Sequence, residues 1–393
     1  MPAALSAPTS RIPARRAAVR EKIARWSPGV PAALLLYALL RAAGLLTLGA
    51  YAAAQHRGVS PWHALIRFDA AWYAQIAAHG YDTALRIGPH GVPATTNLAF
   101  FPLYPGLVAL VHLVLPVAAA GVVVSWAAGL GAAWGLYALG AHLRDARTGV
   151  LLAGLWAVVP HAVVESMGYS ETLFTALAAW SLLAVLRRQW LTAGILCLLA
   201  GLTRPTSAAL VAAVGLAALV AVCREPRAWR AWCAMVLAPL GLLGFVGWVG
   251  VVLGRADGYF YVQNVAWRMR FDGGGDTVRK LGTVATHAVP LAYVVTTAVL
   301  VIGLTLLVIG IGERLPWPLL VYAAGVLAVV LGGAGYYWAK GRLLLPDFPL
   351  LIPIAYALAR ARGRTTPIAV ITLLAVLSAF YGVYLCLIWK SSP

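Results

Sequence analysis

The sequence predicts an all-α, polytopic membrane protein. Of its 393 residues 62% are hydrophobic and only 11% charged, with a mean hydropathy of +0.84. The apolar residues fall in repeated runs of about 20, the length that crosses ~30 Å of hydrocarbon as a helix. These runs do not alternate with period two, which excludes a membrane β-barrel. The formal charge of +18 comes largely from Arg. In a chain of this hydropathy it reads as loop positioning and contact with anionic headgroups, not as a nucleic-acid surface.

The elements follow in order. Residues 1–28 carry Arg11, Arg15, Arg16, Arg20, Lys22 and Arg25 against Glu21, and predict a disordered, basic, cytoplasmic tail. The run 30–54 is too long for a signal-peptide core and reads as a retained anchor. A long polar outer segment, 55–118, follows; within it 100–116 opens with FFPLYP and is short, so an interfacial or re-entrant helix is expected. Further spans are expected at 119–141, 149–164, 170–186, 190–203, 205–222, 231–253, 284–311, 316–334, 346–359 and 366–388, about eleven crossings in all. The pair 190–203 and 205–222 breaks at Thr203-Arg204-Pro205, because proline lacks the backbone donor and clashes with the preceding turn. Residues 29–393 thus form one transmembrane domain.

Alternating the spans from an inside N-terminus collects the tail, 142–148, 187–190, 223–230, 312–315 and 360–365 on one side. They hold more than half of the 30 basic residues, as the positive-inside bias requires. Most acids fall on the other side, beside the two long segments 55–118 and 254–283. The unusual polar chemistry is therefore expected on the extracytoplasmic face. The four cysteines, Cys197, Cys223, Cys233 and Cys386, make no CxxC and read as small apolar residues. The histidines match no zinc spacing, and neither metal nor cofactor is expected.

Asp69 leads the candidate residues. Ile66, Phe68, Trp72, Tyr73 and Ile76 around it suggest an interfacial helix with an aromatic face. A half-buried carboxylate there suits a general base acting on a hydroxyl; the alternative is an exposed acid paired with Arg67 or Arg57. Glu165 and Glu171 flank the hinge ESMGYSET, as walls of a wet cavity or, for Ser170 and Glu171, as a helix cap and first-turn acid. Arg204 sits at the helix break, where its partner is a phosphate or a buried acid. Lys340 and Arg342, in GYYWAKGRLLLPDFP, form a second basic cluster, for lipid phosphate or for interfacial anchoring. Arg41, at mid-span, needs an oxygen partner the sequence does not name. The glycine run in RMRFDGGGDT lacks a preceding strand and a following Lys-Ser/Thr, so 254–283 reads as a flexible loop or lid, not a phosphate loop.

Three blocks resemble the PIG-V-type mannosyltransferases, the GPI-anchor enzymes and their bacterial relatives, which belong to the membrane glycosyltransferases of the GT-C fold. They are RFDAAWYAQIAAHGY with NLAFFPLYP, ESMGYSETLF, and AGLTRPT. The resemblance runs from the first span to about Phe348, and the first and third blocks together are the specific part. Family members usually carry Trp before the aspartate; here it is Phe68, which leaves acceptor choice in question. The resemblance implies a GT-C-like fold and a polyprenyl-phosphate-mannose donor used on the extracytoplasmic face of a bacterial plasma membrane. It implies Asp69 as the catalytic acid of the first outer loop and an inverting transfer to an acceptor hydroxyl. Arg204, Arg342 and Lys340 would hold the donor phosphate. Arg67, Trp72, Tyr73, Tyr81, Tyr104, Glu165, Tyr169 and Glu171 would line the substrate cavity. Two alternatives stand beside it: a GT-C transferase using another lipid-linked sugar, and a lipid-linked sugar flippase or transporter, whose sign would be paired broken helices near the bilayer midplane.

Overall fold

A computed structural model of the chain describes residues 29–55, 60–88 and 92–393. The basic tail 1–28 and the segment that holds Arg57 lie outside them. The regular structure of the described residues is helical but for two residue pairs that form a small antiparallel ladder and one isolated bridge, Ile87 with Pro93. Among the described residues six helices are long and apolar enough to cross a membrane: Val30–Ala54 (α1), Val117–Leu143, Ser207–Arg224, Trp229–Leu253, Leu291–Gly312 and Thr365–Ile388, the last running from α-helix into a π turn. A bent pair, Tyr337–Leu343 with Phe348–Arg360, makes up to seven.

The remaining helices follow in chain order from α1. They are Pro61–Leu65 (α2), Asp69–His79 (α3), Leu103–His112 (α4), Val117–Leu143 (α5), Ala146–Trp156 (α6), Glu171–Leu186 (α7), Trp190–Gly201 (α8), Ser207–Arg224 (α9) and Trp229–Leu253 (α10). Then come Gly258–Tyr261 (α11), Gly275–Thr286 (α12), Leu291–Gly312 (α13), Trp317–Gly332 (α14), Lys340–Leu343 (α15), Ile352–Arg360 (α16) and Thr365–Val383 (α17). Hence four of the apolar runs expected to cross, α6, α7, α8 and α14, are helices of only 11 to 16 residues. At 1.5 Å per residue they reach about 16 to 24 Å, short of the hydrocarbon thickness.

The expected span 149–164 is the clearest departure. Its helix stops at Trp156, and Ala162–Ser166 wind as a 3-10 turn. Pro160 is the cause: it cannot donate, and it pushes the preceding residue out of helical geometry. The carbonyls released there are taken by Arg41, which donates to Ala157 O at 2.5 Å and also to Ala162 O. In the same way Pro290 starts α13 seven residues later than the hydropathy run, and 275–286 becomes a separate amphipathic helix.

The helices α8 and α10 approach most closely through glycines. A Cβ on Gly241 would overlap the carbonyl oxygen of Leu198, and one on Gly201 would lie 2.6 Å from the Leu242 nitrogen. Small residues at a crossing let backbones meet and supply the dispersion contacts that drive helix association in lipid. Fully buried Trp156, Tyr137, Tyr322 and Phe348 fill the centre between α5, α6, α14 and α16.

The polar connections sort to two ends of the bundle. At one end Arg147 donates to Gly363 O at 2.9 Å, Arg144 to Tyr356 O at 3.3 Å, and Arg360 grips Glu313 with both nitrogens at 2.7 and 2.9 Å. These are segments that the charge alternation groups together. At the other end the long segments meet, through Gly168 N to Leu65 O at 2.9 Å, Leu103 N to Leu202 O at 2.9 Å and Trp267 Nε1 to Thr96 O at 3.0 Å.

Candidate functional site

The end that carries the long segments encloses a cavity of about 350 Å³. Asp69 is the first residue of α3, and the turn before it is tight. Phe68 holds φ 57° and ψ −119°, a left-handed conformation that a non-glycine residue keeps only when its surroundings fix it. The Arg67 guanidinium lies 4.9 Å from the centre of the Phe68 ring. That turn aims the Asp69 carboxylate into the cavity, beside Trp72 and Tyr73.

Four charges interlock there. Arg342 Nη1 lies 2.8 Å from Asp69 Oδ2, and its Nε lies 3.4 Å from Glu171 Oε1. Arg204 Nη1 lies 2.8 Å from that same Glu171 oxygen. Glu171 is therefore the strut between two guanidiniums, and its side chain is only 1% exposed. Two acids and two arginines leave the cluster electrically balanced. Arg342 also donates to Ser392 Oγ at 3.1 Å and lies over the Tyr169 ring at 5.3 Å.

Of the two readings of Ser170 and Glu171, the helix cap does not form: the Ser170 side chain makes no cap bond. It bonds instead to the Tyr73 hydroxyl at 2.7 Å and accepts from Arg204 Nη1 at 3.2 Å. Aromatic rings build the wall: Trp72 stacks on Phe100, and both meet Trp267 edge-on at 5.4 Å. Trp267, Gln263 and Met269 come from 254–283, Tyr336 and Trp338 from the turn after α14, and Ser391 and Ser392 from the end of the chain.

Asp69, Trp72, Tyr73, Arg204 and Arg342 thus line one cavity, with Glu171 directly behind the two arginines. The other candidates stand elsewhere. Tyr81 donates to Phe100 O at 2.8 Å and packs on Trp248. Tyr104, fully buried, donates to Gly121 O at 2.8 Å. Tyr169 is fully buried beneath Arg342. Arg67 covers Phe68 and does not line the cavity. Glu165 does not line that cavity; its charged neighbour is Arg41, at 3.8 Å, which supplies the partner that the sequence left unnamed.

Lys340 is also apart. Its ammonium donates to Thr277 Oγ1, to Gly333 O at 2.6 Å and to Leu331 O at 3.5 Å. It closes the last turn of α14 and ties 254–290 to it. The same anchorage includes the ladder Arg270–Phe271 (β1) with Gly333–Ala334 (β2), and Asp272 N bonded to Gly332 O at 2.9 Å. Burial pushes the Asp272 carboxyl up, but the backbone N–H groups of Asp276 and Gly274 outweigh it and hold the group below the ordinary carboxylate range. The expected flexible loop is therefore a pinned segment.

Beside the first cavity is a second chamber of about 560 Å³. Arg204, Gln263, Met269 and Tyr336 are among the residues that line both, so the two adjoin. The surface of the second is mostly apolar, with Phe260, Phe271, Val329 and Val330 among its walls, but Asp257, Asn264, Arg270 and Lys340 also line it. Among the described residues no three His, Cys, Asp or Glu side chains gather as ligands for a metal ion.

No family model matches the chain, and no curated protein matches it. Among solved structures it is similar to the oligosaccharyltransferase of Archaeoglobus fulgidus. The apo form aligns at 15% identity and TM-score 0.47, over 88% of this chain and 56% of that one. The AglB structure in complex with an inhibitory peptide and a dolichol-phosphate aligns at 15% identity and TM-score 0.47, over 90% and 55%. The chain spans a little over half the length of these structures.

Proposed function

We propose that the protein is a membrane glycosyltransferase that moves a sugar from a polyprenyl-phosphate donor to an acceptor hydroxyl, with Asp69 as general base. The observation that carries this reading is the convergence of Asp69, Arg204 and Arg342 on one aromatic-walled cavity beside a larger, mostly apolar chamber. The donor is amphipathic and needs these parts together. Its isoprenoid chain suits the chamber lined by Phe260, Phe271, Val329 and Val330. Its phosphodiester suits the shared edge, where Arg204 stands and Arg342 is close. Its sugar suits the cavity of Trp72, Tyr73 and Trp267, since aromatic faces pack on sugar C–H surfaces and exclude water.

In the reaction the acceptor oxygen attacks the anomeric carbon as its proton passes to the Asp69 carboxylate. The bond from the anomeric carbon to the phosphate oxygen breaks, and the polyprenyl phosphate leaves with that electron pair. Arg342 and Arg204 stabilise the charge that develops on it, the term that preorganised cations supply most effectively. A single in-line displacement inverts the anomeric configuration. Lys340 has no free donor in this arrangement and serves to hold the wall of the donor chamber.

The sequence blocks around Asp69 and Arg204 favour mannose as the sugar and the PIG-V type as the family. A cavity on the extracytoplasmic face of a bacterial plasma membrane accords with the charge bias, which groups the two long polar segments on that side. Reconstituted protein supplied with labelled polyprenyl-phosphate-mannose and fractionated cell extract tests the reading: mass spectrometry should find an acceptor that gains a hexose. Movement of intact donor across the bilayer with no hexosylated product would favour a transporter instead.

A further inference from the structure

Asp69, Arg204 and Arg342 are committed to the proton and the phosphate in the proposed transfer, so uncharged groups must read the sugar. Most neutral side chains around the Asp69 cavity are already engaged within the protein. The Tyr73 hydroxyl bonds to Ser170 Oγ at 2.7 Å, Thr203 Oγ1 donates to Ala200 O at 2.6 Å, and Trp267 Nε1 donates to Thr96 O at 3.0 Å. Gln263 keeps bonding capacity to spare. Its Nε2 donates to the Tyr259 hydroxyl at 2.9 Å, and among the described residues its side-chain carbonyl oxygen meets no hydrogen-bond donor. Turned over, the amide would accept from Tyr259 and keep its NH2 group free. Either way a primary amide uses one end on a single hydroxyl and retains the other.

The amide is held in place. Tyr259 is 4% exposed, and its ring meets Phe101 and Phe245 edge-on, so the hydroxyl that Gln263 grips has a fixed position. Val262–Ala266 wind as a π turn, and the Gln263 backbone carbonyl accepts from Met269 N at 2.8 Å. Such turns are rare and recur at functional sites. Gln263 itself is half-buried, so a ligand can reach it. It lines both the Asp69 cavity and the adjoining chamber, as Arg204 does. In the proposed donor arrangement that border is where the phosphate joins the sugar. Tyr336 lines both too, but it is 38% exposed, and water competes for its hydroxyl.

We propose that Gln263 selects the sugar: its amide, fixed by Tyr259, hydrogen-bonds the C2 hydroxyl of the donor, an assignment that rests on the donor arrangement of the proposed transfer. The C2 hydroxyl is the one nearest an anomeric phosphate, because C2 is bonded to the anomeric carbon. Its axial setting also distinguishes mannose from glucose, in which it is equatorial. An amide that loses this partner in an aromatic-walled cavity forfeits a hydrogen bond that water replaces poorly, so the site rejects a donor that lacks the hydroxyl. Leucine has nearly the shape of glutamine, so Gln263→Leu removes the polar pairing and keeps most of the volume.

The test measures equilibrium binding to the whole protein in nanodiscs, with turnover assayed separately. The probes are polyprenyl-phosphate-mannose and its 2-deoxy and 4-deoxy analogues, each tritiated in the polyprenyl chain. The parent should bind the mannosyl donor at least about tenfold more tightly than the 2-deoxy analogue, the factor expected for one lost hydrogen bond. Gln263→Leu should weaken the mannosyl and 4-deoxy donors by that factor and leave the 2-deoxy donor within about twofold of its parental affinity. Tyr259→Phe, which frees the amide, should shrink the preference for the C2 hydroxyl without reversing it. A parent indifferent to that hydroxyl, or a Gln263→Leu loss shared equally by the 2-deoxy donor, would overturn the proposal, the second by making Gln263 a packing residue. Binding that depends on the C2 hydroxyl and on Gln263, with no hexose transferred, would remove the proposed reaction and leave this assignment standing. No saturable binding of any of the three donors would remove both.

Discussion

Arg342 binds Asp69 through Nη1 at 2.8 Å while its Nε faces Glu171 at 3.4 Å. One guanidinium thus serves both the proposed base and the buried strut. The cluster is balanced before a donor arrives, and a phosphodiester adds one negative charge. Asp69 is then the acid to lose its share of Arg342, because its side chain is 19% exposed and that of Glu171 1%. Donor binding would free the base, so the donor should bind before the acceptor.

Arg342→Lys should therefore raise the donor KM by at least about tenfold, because an ammonium cannot reproduce a planar fork shared between two carboxylates and a phosphate. Steady-state kinetics with the donor varied checks this. An unchanged donor KM would remove Arg342 from the phosphate site.

Glu171→Ala leaves two buried guanidiniums without their common acid. Breaking a buried pair in this way costs about 3–5 kcal/mol, so thermal unfolding in detergent should occur at a clearly lower temperature. Glu171→Gln, which retains one acceptor oxygen, should lie between that variant and the parent.

Lys340→Met separates holding from binding. The loss of three donors should raise amide hydrogen exchange across 270–286, where the segment is pinned to α14, and should change the donor KM less than Arg342→Lys does. A donor KM effect as large as that of Arg342→Lys, with exchange unaltered, would return Lys340 to the phosphate.

Much of the architecture was readable because lipid imposes one rule on every span. The run 30–54 appears as Val30–Ala54, and the break at Thr203-Arg204-Pro205 separates α8 from α9. Pro160 was as visible as Pro205, but its effect was hidden inside a continuous apolar run, and Arg41 completes it from over a hundred residues away. Asp69, Arg204 and Arg342 stood out because a charge in so apolar a chain needs a reason. Glu165 and Lys340 carry the same charge signal and yet face other partners, since hydropathy gives depth but not direction. Nothing local marks Ser392, Trp267 or Gln263 as cavity residues; they arrive by tertiary packing alone. The sequence leaves Ser170 open between two readings because a cap and a bridge share one signature.

Gly241→Leu tests the packing independently of the site. The new side chain meets the Leu198 carbonyl across the α8–α10 crossing, and overpacking of this kind costs about 1–3 kcal/mol or more. Lower thermal stability with near-parental activity per folded molecule is expected.

The most direct test is Asp69→Asn in purified, lipid-reconstituted protein supplied with polyprenyl-phosphate-mannose and an acceptor. The variant should fold and bind donor normally yet lose about 10²–10⁴-fold in turnover, the usual contribution of a positioned base. Near-parental turnover would contradict the assignment of Asp69 and with it the proposed reaction at this cavity.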